Sequence, residues 1–460
     1  MALKLKPRPS PTGGSKLHVL SALLLFQVTV VLLLRSPPPW PWKPPAAPRC
    51  SSPRVFVYDL PPRFNAGLLG NCSSINPWVS VCPALANDGL GQRLQDPRLS
   101  VAPASWFQTD QFTSEVIFHT RMLRHPCRTD DPAMATAFYI PFYAGLDIAR
   151  FLFVPSSAQQ RDGLGKQLME WLQEQEYWRR YGGRDHFLMI GRITWDFRRT
   201  EDEAWGSSLI YMEGMRNATR LLIERSPWDD QEMGVPYPTS FHPRSDLDVQ
   251  RWQQHVGFRE RRVLFAFAGG PRKTIRNDFR DLLLQQCVES GGNCSALSCS
   301  AGLCDQPGTL MELFQDAIFC LQPRGDSFTR RSAFDAILAG CIPVFFWNQS
   351  AYMQYKWHLP ADDSSYSVFI PKDAVRNGIS IKQVLMALPA ERVARMRKTI
   401  IGLIPSIIYA SPDHQLRIWK DAFDIAIDGV LSRIQSLELD PGPHFVLSSQ
   451  AVASIGSIAK

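Results

Sequence analysis

No stretch of the 460 residues interleaves Lys and Arg with aromatic side chains, the pattern by which a chain grips a nucleic-acid backbone and stacks on its bases. There is no G-x-G-x-x-G turn and no Walker loop, which argues against a dinucleotide or ATP as ligand. Paired C-x-x-C knuckles, the usual framework of a structural zinc site, are missing, and no internal repeat is visible. Charged residues make up only 20% of the chain against 45% hydrophobic, a globular balance that excludes a mainly disordered protein. The formal charge of +7 is modest, and part of it sits in a tail bearing Lys4, Lys6, Arg8 and Lys16. A domain that holds an anionic ligand would account for the rest.

What is present begins with an apolar run, LHVLSALLLFQVTVVLLL from Leu17 to Leu34, without a formal charge. At about 1.5 Å per helical residue it reaches about 27 Å, close to a bilayer core of about 30 Å. Lys16 and Arg35 bracket it, and the basic tail orients to the cytosol. A cleaved signal peptide would have a shorter apolar segment and an A-x-A-like site, but Arg35 and a proline run follow here. The expectation is a cytosolic tail over residues 1–16, a signal-anchor transmembrane helix over 17–35 and a Pro-rich, extended stem over 36–53.

Ten cysteines suit an oxidising compartment. Cys287, Cys294, Cys299 and Cys304 crowd one short stretch, and their gaps favour two local disulfides over a zinc site, with the pairing left open. Asn71, Asn217, Asn293 and Asn348 each begin an N-x-S/T sequon, the mark of a glycosylated, lumenal head.

Past the stem, short apolar strands alternate with longer amphipathic segments, the signature of a parallel α/β sheet. RVFVY (Arg54 to Tyr58), ATAFYIP (Ala135 to Pro141) and HFLMI (His186 to Ile190) read as strands, with helices over Phe112 to Arg124 and Asp162 to Arg180. A break at GVPYPTSFHP, Gly234 to Pro243, closes this half. RVLFAFAGG near Arg261, AIFCLQP, CIPVFF and YSVFI read as strands of a second half. The expectation is two Rossmann-like domains, 54–258 and 259–435, facing a cleft, with a tail over 436–460. Ligands of such sheets sit at the carboxyl ends of the strands.

The densest chemistry lies in GDSFTRRSAFDAILAGCIPVFF, Gly325 to Phe346. A turn after the strand ending at Pro323, then a helix from Thr329 to Leu338, would aim backbone amides and Arg324, Arg330 and Arg331 at one anion. Asp335 on that helix is an acceptor-only group suited to a pair of hydroxyls. A solvated helix with arginines paired to acids is the plainer alternative. FAFAGGPRKTIR repeats the logic with Arg272, Lys273 and Arg276. Asp147 and Asp196, each just past a strand, are candidate general bases, or else helix caps or arginine partners (Arg150, Arg198). Asp246-Leu247-Asp248 spells D-x-D but falls in a polar linker rather than at a strand end. His119 sits on an apolar helix face and reads as packed. Trp106, Trp195, Trp205 and Trp347 fall in or near predicted loops, and none is assigned a role.

RVFVYDLPPRFN, TDQFTSEVIFH, FYIPFYAGLDIARF, GRDHFLMIGRITWDF, FAFAGGPR and the Gly325 to Phe346 block resemble, in order, glycosyltransferase family 47, the exostosin-like family, in its plant xyloglucan galactosyltransferase branch. The resemblance runs from about Arg54 to about Val430. It implies a GT-B fold with an acceptor-side first domain and a UDP-sugar-binding second one. It also implies inversion, no required metal or other cofactor, and Golgi residence as a single-pass type II protein with a lumenal head. The implied partners are a UDP-sugar, a polysaccharide acceptor, the Golgi membrane and other Golgi transferases in complexes, with no nucleic acid. By resemblance Arg272, Arg276, Ser327, Arg330 and Arg331 lie at the donor, with Asp335 at the ribose. Many members carry Glu at the Asp335 position and an arginine three residues before it, where this chain has Ser332. The implied reaction is transfer of galactose from UDP-galactose to xylosyl side chains of xyloglucan. The alternatives are another UDP-sugar or hemicellulose such as mannan, or a non-catalytic Golgi scaffold.

Overall fold

The computed structural model describes residues 53–272 and 278–439. The apolar run, most of the stem, Arg276 and most of the C-terminal tail lie outside them. Among the described residues no helix is long and apolar enough to cross a membrane.

β1 (Val55–Val57) precedes an antiparallel ribbon of β2 (Gln92–Arg93) and β3 (Phe107–Gln108). β4 (Arg128–Thr129), β5 (Ala137–Tyr139), β6 (His186–Ile193), β7 (Thr219–Glu224) and β8 (Glu232–Gly234) join β1 in a parallel sheet of order β4-β1-β5-β6-β7-β8. Its side chains alternate between two covered faces. Leu188, Ile190 and Leu222 meet Leu168 and Leu172 of the Ala158–Glu174 helix on one side. Phe187, Met189, Leu221 and Ile223 join the core that holds Ile117, Phe118 and Met122 of the Ser114–Leu123 helix. The segment expected as one helix over Asp162 to Arg180 begins earlier, because Ser157 and Gln160 close a capping box. It breaks at Gln175, whose backbone is extended, before a second helix Glu176–Tyr181.

Two of the sequence blocks owe their glycines to one buried carboxyl. Glu115 accepts from the amides of Gly145 (2.6 Å), Leu146 (3.2 Å) and Gly191 (3.1 Å). A Cβ on Gly191 would lie 2.7 Å from Cγ of Glu115, so only glycine lets that strand approach. Burial pushes the Glu115 carboxyl up to about 7. The motif here is a packing joint, not chemistry.

β9 (Val263–Ala268), β10 (Cys294–Leu297), β11 (Ala317–Gln322), β12 (Ile342–Phe345) and β13 (Val368–Phe369) form a second parallel sheet, order β10-β9-β11-β12-β13. The disulfide Cys320–Cys341 ties β11 to the entrance of β12. Cys287 pairs with Cys294 and Cys299 with Cys304, so the crowded stretch holds two local disulfides; Cys72 pairs with Cys82. The last helix, Ala422–Leu439, returns to the first sheet. Arg121 of the Ser114–Leu123 helix is paired with Asp421 and, at 3.3 Å, with Asp424, while Phe118 meets Phe423 edge-on at 5.1 Å.

Candidate active site

A cleft of about 770 Å³ opens where β7, β9 and β11 end. Its floor is the turn after β11. The Gly325 amide donates to the Thr329 carbonyl at 3.2 Å, and a Cβ on Gly325 would stand 2.6 Å from that oxygen. The turn therefore needs glycine. Helix begins at Ser332 rather than at Thr329, so residues up to Arg331 form an irregular approach instead of a first helical turn.

Arg330 points its Nη2 at the Ala268 carbonyl (3.0 Å) beneath the end of β9 and is half-buried. Burial, with Arg280 and Arg272 beside it, pushes its guanidinium down to about 9. Arg280 is lowered as well, by burial first and then by Arg272. Among the described residues, Arg330 Nη1, Arg272 Nε and Arg280 Nε are buried without a hydrogen-bond partner. Arg272 donates to the Gly325 carbonyl and lies 3.5 Å from exposed Asp326. Three cations thus converge with orphaned donors against two acids, solvated Asp326 and Asp278, which is engaged by the Arg272 amide at 3.1 Å, and the net positive charge suits an anion. Arg280 was not singled out in the sequence, because it lies inside the Phe279–Glu289 helix beyond the glycine turn.

Asp335 is buried on the cleft wall; burial raises its carboxyl, and Arg331 at 3.5 Å opposes this. Arg331 itself turns toward the first half. It donates to the Thr109 carbonyl (2.5 Å) and to Ser240 Oγ (2.8 Å). The structure therefore separates the two adjacent arginines, Arg330 into the cationic cluster and Arg331 into a brace. Ser332 is engaged with Gln322 at 2.6 Å. Ser327 lines the cleft, and its hydroxyl binds Glu224.

Glu224, the last residue of β7, was not anticipated. It is buried, takes the Tyr237 hydroxyl at 2.5 Å and the Thr329 amide at 3.2 Å, and also holds Ser327 and the Phe328 amide. Burial pushes it up to about 7. One carboxylate of the first sheet thus pins the floor turn of the second, with its lone pairs occupied. Asp110, also on the first-half wall, is exposed. Its Oδ1 accepts the Phe112 amide at 2.8 Å, and Oδ2 takes no protein hydrogen bond among the described residues.

Asp147 and Asp196 do not line this cleft. Asp147 faces a small cavity of about 10 Å³ with Arg161 and Asp162, and its carboxylate is paired with Arg150. Asp196 accepts from Arg192 at 2.6 Å and from the Trp205 indole at 2.8 Å, so Arg192 rather than Arg198 is its partner. His119 packs against Tyr143 (2.8 Å), pushed down to about 4 by burial. The D-x-D lies in the first turn of a helix, Asp246–Phe258, not in a linker. There Asp246 accepts from the Arg417 and Ile418 amides and Asp248 from the Arg244 amide. Trp106 is core, Trp347 packs on Phe279, and Trp195 is exposed. Asn71, Asn217 and Asn348 are exposed, and Asn293 is half-buried.

The sequence pattern of the Exostosin GT47 domain matches residues 49–385. Among Arabidopsis thaliana proteins, one named xyloglucan galactosyltransferase XLT2 is 55% identical over 396 residues, 85% of this chain and 76% of that one. Xyloglucan galactosyltransferase MUR3 is 43% identical over 84% of this chain and 63% of its own length. Xyloglucan-specific galacturonosyltransferase 1 is 41% identical over 84% of this chain and 58% of its own length. The solved GtfA/B complex is similar to 70% of this chain and 61% of that one at 9% identity and a TM-score of 0.35, too loose a likeness to define the fold.

Proposed function

The chain belongs to the exostosin GT47 family of glycosyltransferases, and from that premise we propose that it moves galactose from UDP-galactose to xylosyl side chains of xyloglucan, inverting the anomeric carbon. The observation that carries this reading is the half-buried pair Arg330 and Arg280 on the cleft that also holds Asp335, with Arg272 beside them. The three guanidiniums would neutralise the diphosphate as it leaves, which is the electrostatic task of a donor site and needs no metal. Asp335 would accept the ribose hydroxyls. Two parallel sheets ending at one cleft suit the GT-B arrangement that the family resemblance implies.

In the reaction an acceptor hydroxyl oxygen bonds to the anomeric carbon while the bond from that carbon to the diphosphate oxygen breaks, and the hydroxyl proton passes to a base on the opposite wall. Asp110 suits that role, because it is exposed on the first-half wall with an oxygen left open. Asp147 and Asp196, each held by an arginine, serve as braces of the first half. The head is lumenal in the Golgi, anchored by residues 17–35; the exposed sequons at Asn71, Asn217 and Asn348 support this. The intact cationic cluster speaks against a non-catalytic scaffold. The galacturonosyl-transferring relative makes UDP-galacturonic acid the donor to compare.

The test is to incubate the purified lumenal head with UDP-galactose, UDP-galacturonic acid and other UDP-sugars, against xyloglucan and mannan oligosaccharides, and read the product linkage by NMR. Galactose β-linked to xylose is the expected product. Transfer of a different sugar, or to mannan alone, would overturn the reading.

A further inference from the structure

Residues between Cys72 and Cys82 form a loop closed by their disulfide. Two of its members are anchors: Ile75 is buried and Val81 half-buried, against Leu68, Val116 and Leu146 of the first half. Between the anchors the chain bulges outward. Asn76 Oδ1 accepts the amides of Trp78 (2.9 Å) and Val79 (3.2 Å), and Pro77 narrows the backbone further. The result is a tight turn that holds Trp78 out in solvent, 71% exposed. A second loop, after the Ala144–Ala149 helix, brings Phe153, 45% exposed, to 4.8 Å between ring centroids, tilted by 56°. Val79, Leu152 and Val154 are exposed in the same two loops. Large apolar groups grouped in solvent mark a binding surface.

The position of this surface selects its occupant. Asn76, Val79, Ser80 and Val81, the immediate neighbours of Trp78, line the cleft. The aromatic pair therefore stands at the rim of the first-half wall, continuous with the place where an acceptor must lie. Flat, exposed aromatic faces suit the C–H faces of pyranose rings, which are apolar while their edges carry hydroxyls.

We propose that Trp78 and Phe153 form an outlying subsite for the acceptor polysaccharide, stacking on backbone sugars beyond those that enter the cleft. The inference rests on the proposed transferase reading and adds a dependence on acceptor length. A short oligosaccharide fills the cleft alone; a long chain also reaches the rim, and the disulfide presents the platform already ordered.

The test compares wild type with the Trp78→Ala, Phe153→Ala double variant in two assays, polymer binding by calorimetry without donor and steady-state transfer. Polymer affinity should fall about tenfold, and KM for polymeric xyloglucan should rise by a similar factor. KM for a short xyloglucan fragment, KM for UDP-galactose, kcat and the thermal midpoint should stay as in wild type. Equal losses for short and long acceptors would overturn the subsite, as would unchanged polymer affinity. A change in oligomeric state by light scattering, with no dependence on acceptor length, would make the patch a protein interface and also overturn it. If wild type transfers nothing to xyloglucan, the functional reading fails, and the donor-free binding assay still decides the platform.

Discussion

Replacing Arg330 by Met should leave a protein at least as stable as the wild type that has lost its hold on UDP. Burial, with Arg280 and Arg272 beside it, lowers the guanidinium from its ordinary value to about 9; at about 1.4 kcal/mol per pH unit, the penalty of holding that charge is on the order of 5 kcal/mol. The sign follows from proton counting. Above about pH 9 the unfolded chain binds more protons at this group than the folded one, so stability rises with pH there. At pH 7 the full penalty is present. Methionine, unbranched and neutral, removes it and also removes the bond to the Ala268 carbonyl, a loss of about 1 kcal/mol. The net gain of about 4 kcal/mol, at roughly 2–4 °C per kcal/mol, should raise the melting point of the ligand-free variant by about 8–16 °C. UDP affinity should fall about ten- to a hundredfold, the worth of a charge-assisted bond of about 1.5–3 kcal/mol. Uridine, which carries no phosphate, should bind as before. Scanning fluorimetry with and without UDP, and calorimetric titration, read both quantities. A variant that melts lower and still binds UDP would refute the reasoning, since Arg330 would then be a structural residue with a satisfied environment.

Asp110→Asn should cut kcat about 10²–10⁴-fold with UDP affinity kept; near-normal turnover would remove Asp110 as the base. Glu224 holds a proton more tightly folded than unfolded, so its contribution to stability is full below about pH 4.5 and is lost as pH rises through about 7. The midpoint of wild type minus that of Glu224→Gln should therefore fall between pH 5 and 8, whereas a constant difference would contradict the burial argument. Glu115 and Asp424, also raised to about 7, titrate in both proteins and cancel. Transfer should persist in excess chelator, because arginines carry the diphosphate charge; loss restored by manganese would defeat that account.

The strands that sequence revealed have unbroken apolar centres, such as FLMI in β6 and AIFCL in β11, where both faces of a parallel sheet are covered. β7, TRLLIE, was hidden because its flanking charges look solvated. In the structure Arg220 is buried against Asp229 (2.9 Å), and Glu224 is fed by hydroxyls and amides. Missing β7 meant missing Glu224. Which of Arg330 and Arg331 joins the cationic cluster turned on where the helix begins, at Ser332 rather than at Thr329, and spacing alone does not fix a boundary that closely. Asp147 and Asp196 do follow strands, but Arg150 and Arg192 are near enough in the chain to claim them. Asp110 carried no signal beyond its place in TDQF; its position on the cleft comes from the ribbon before it and from the Arg331 brace to Thr109.

The return of the last helix to the first sheet bears on how the chain is made. The disulfides Cys72–Cys82, Cys287–Cys294 and Cys299–Cys304 span separations of 10, 7 and 5 residues and can close as soon as each segment emerges. Arg121 waits 300 residues for Asp421. At about 5–20 residues per second, synthesis of that interval takes about 15–60 s. Throughout it the nascent first half carries an unpaired Arg121 and an uncovered Phe118, so its folding cannot finish while the second half is still being translated. A chain stopped before Asp421 should therefore be degraded even when these disulfides have formed, which a pulse-chase of the truncated protein would read.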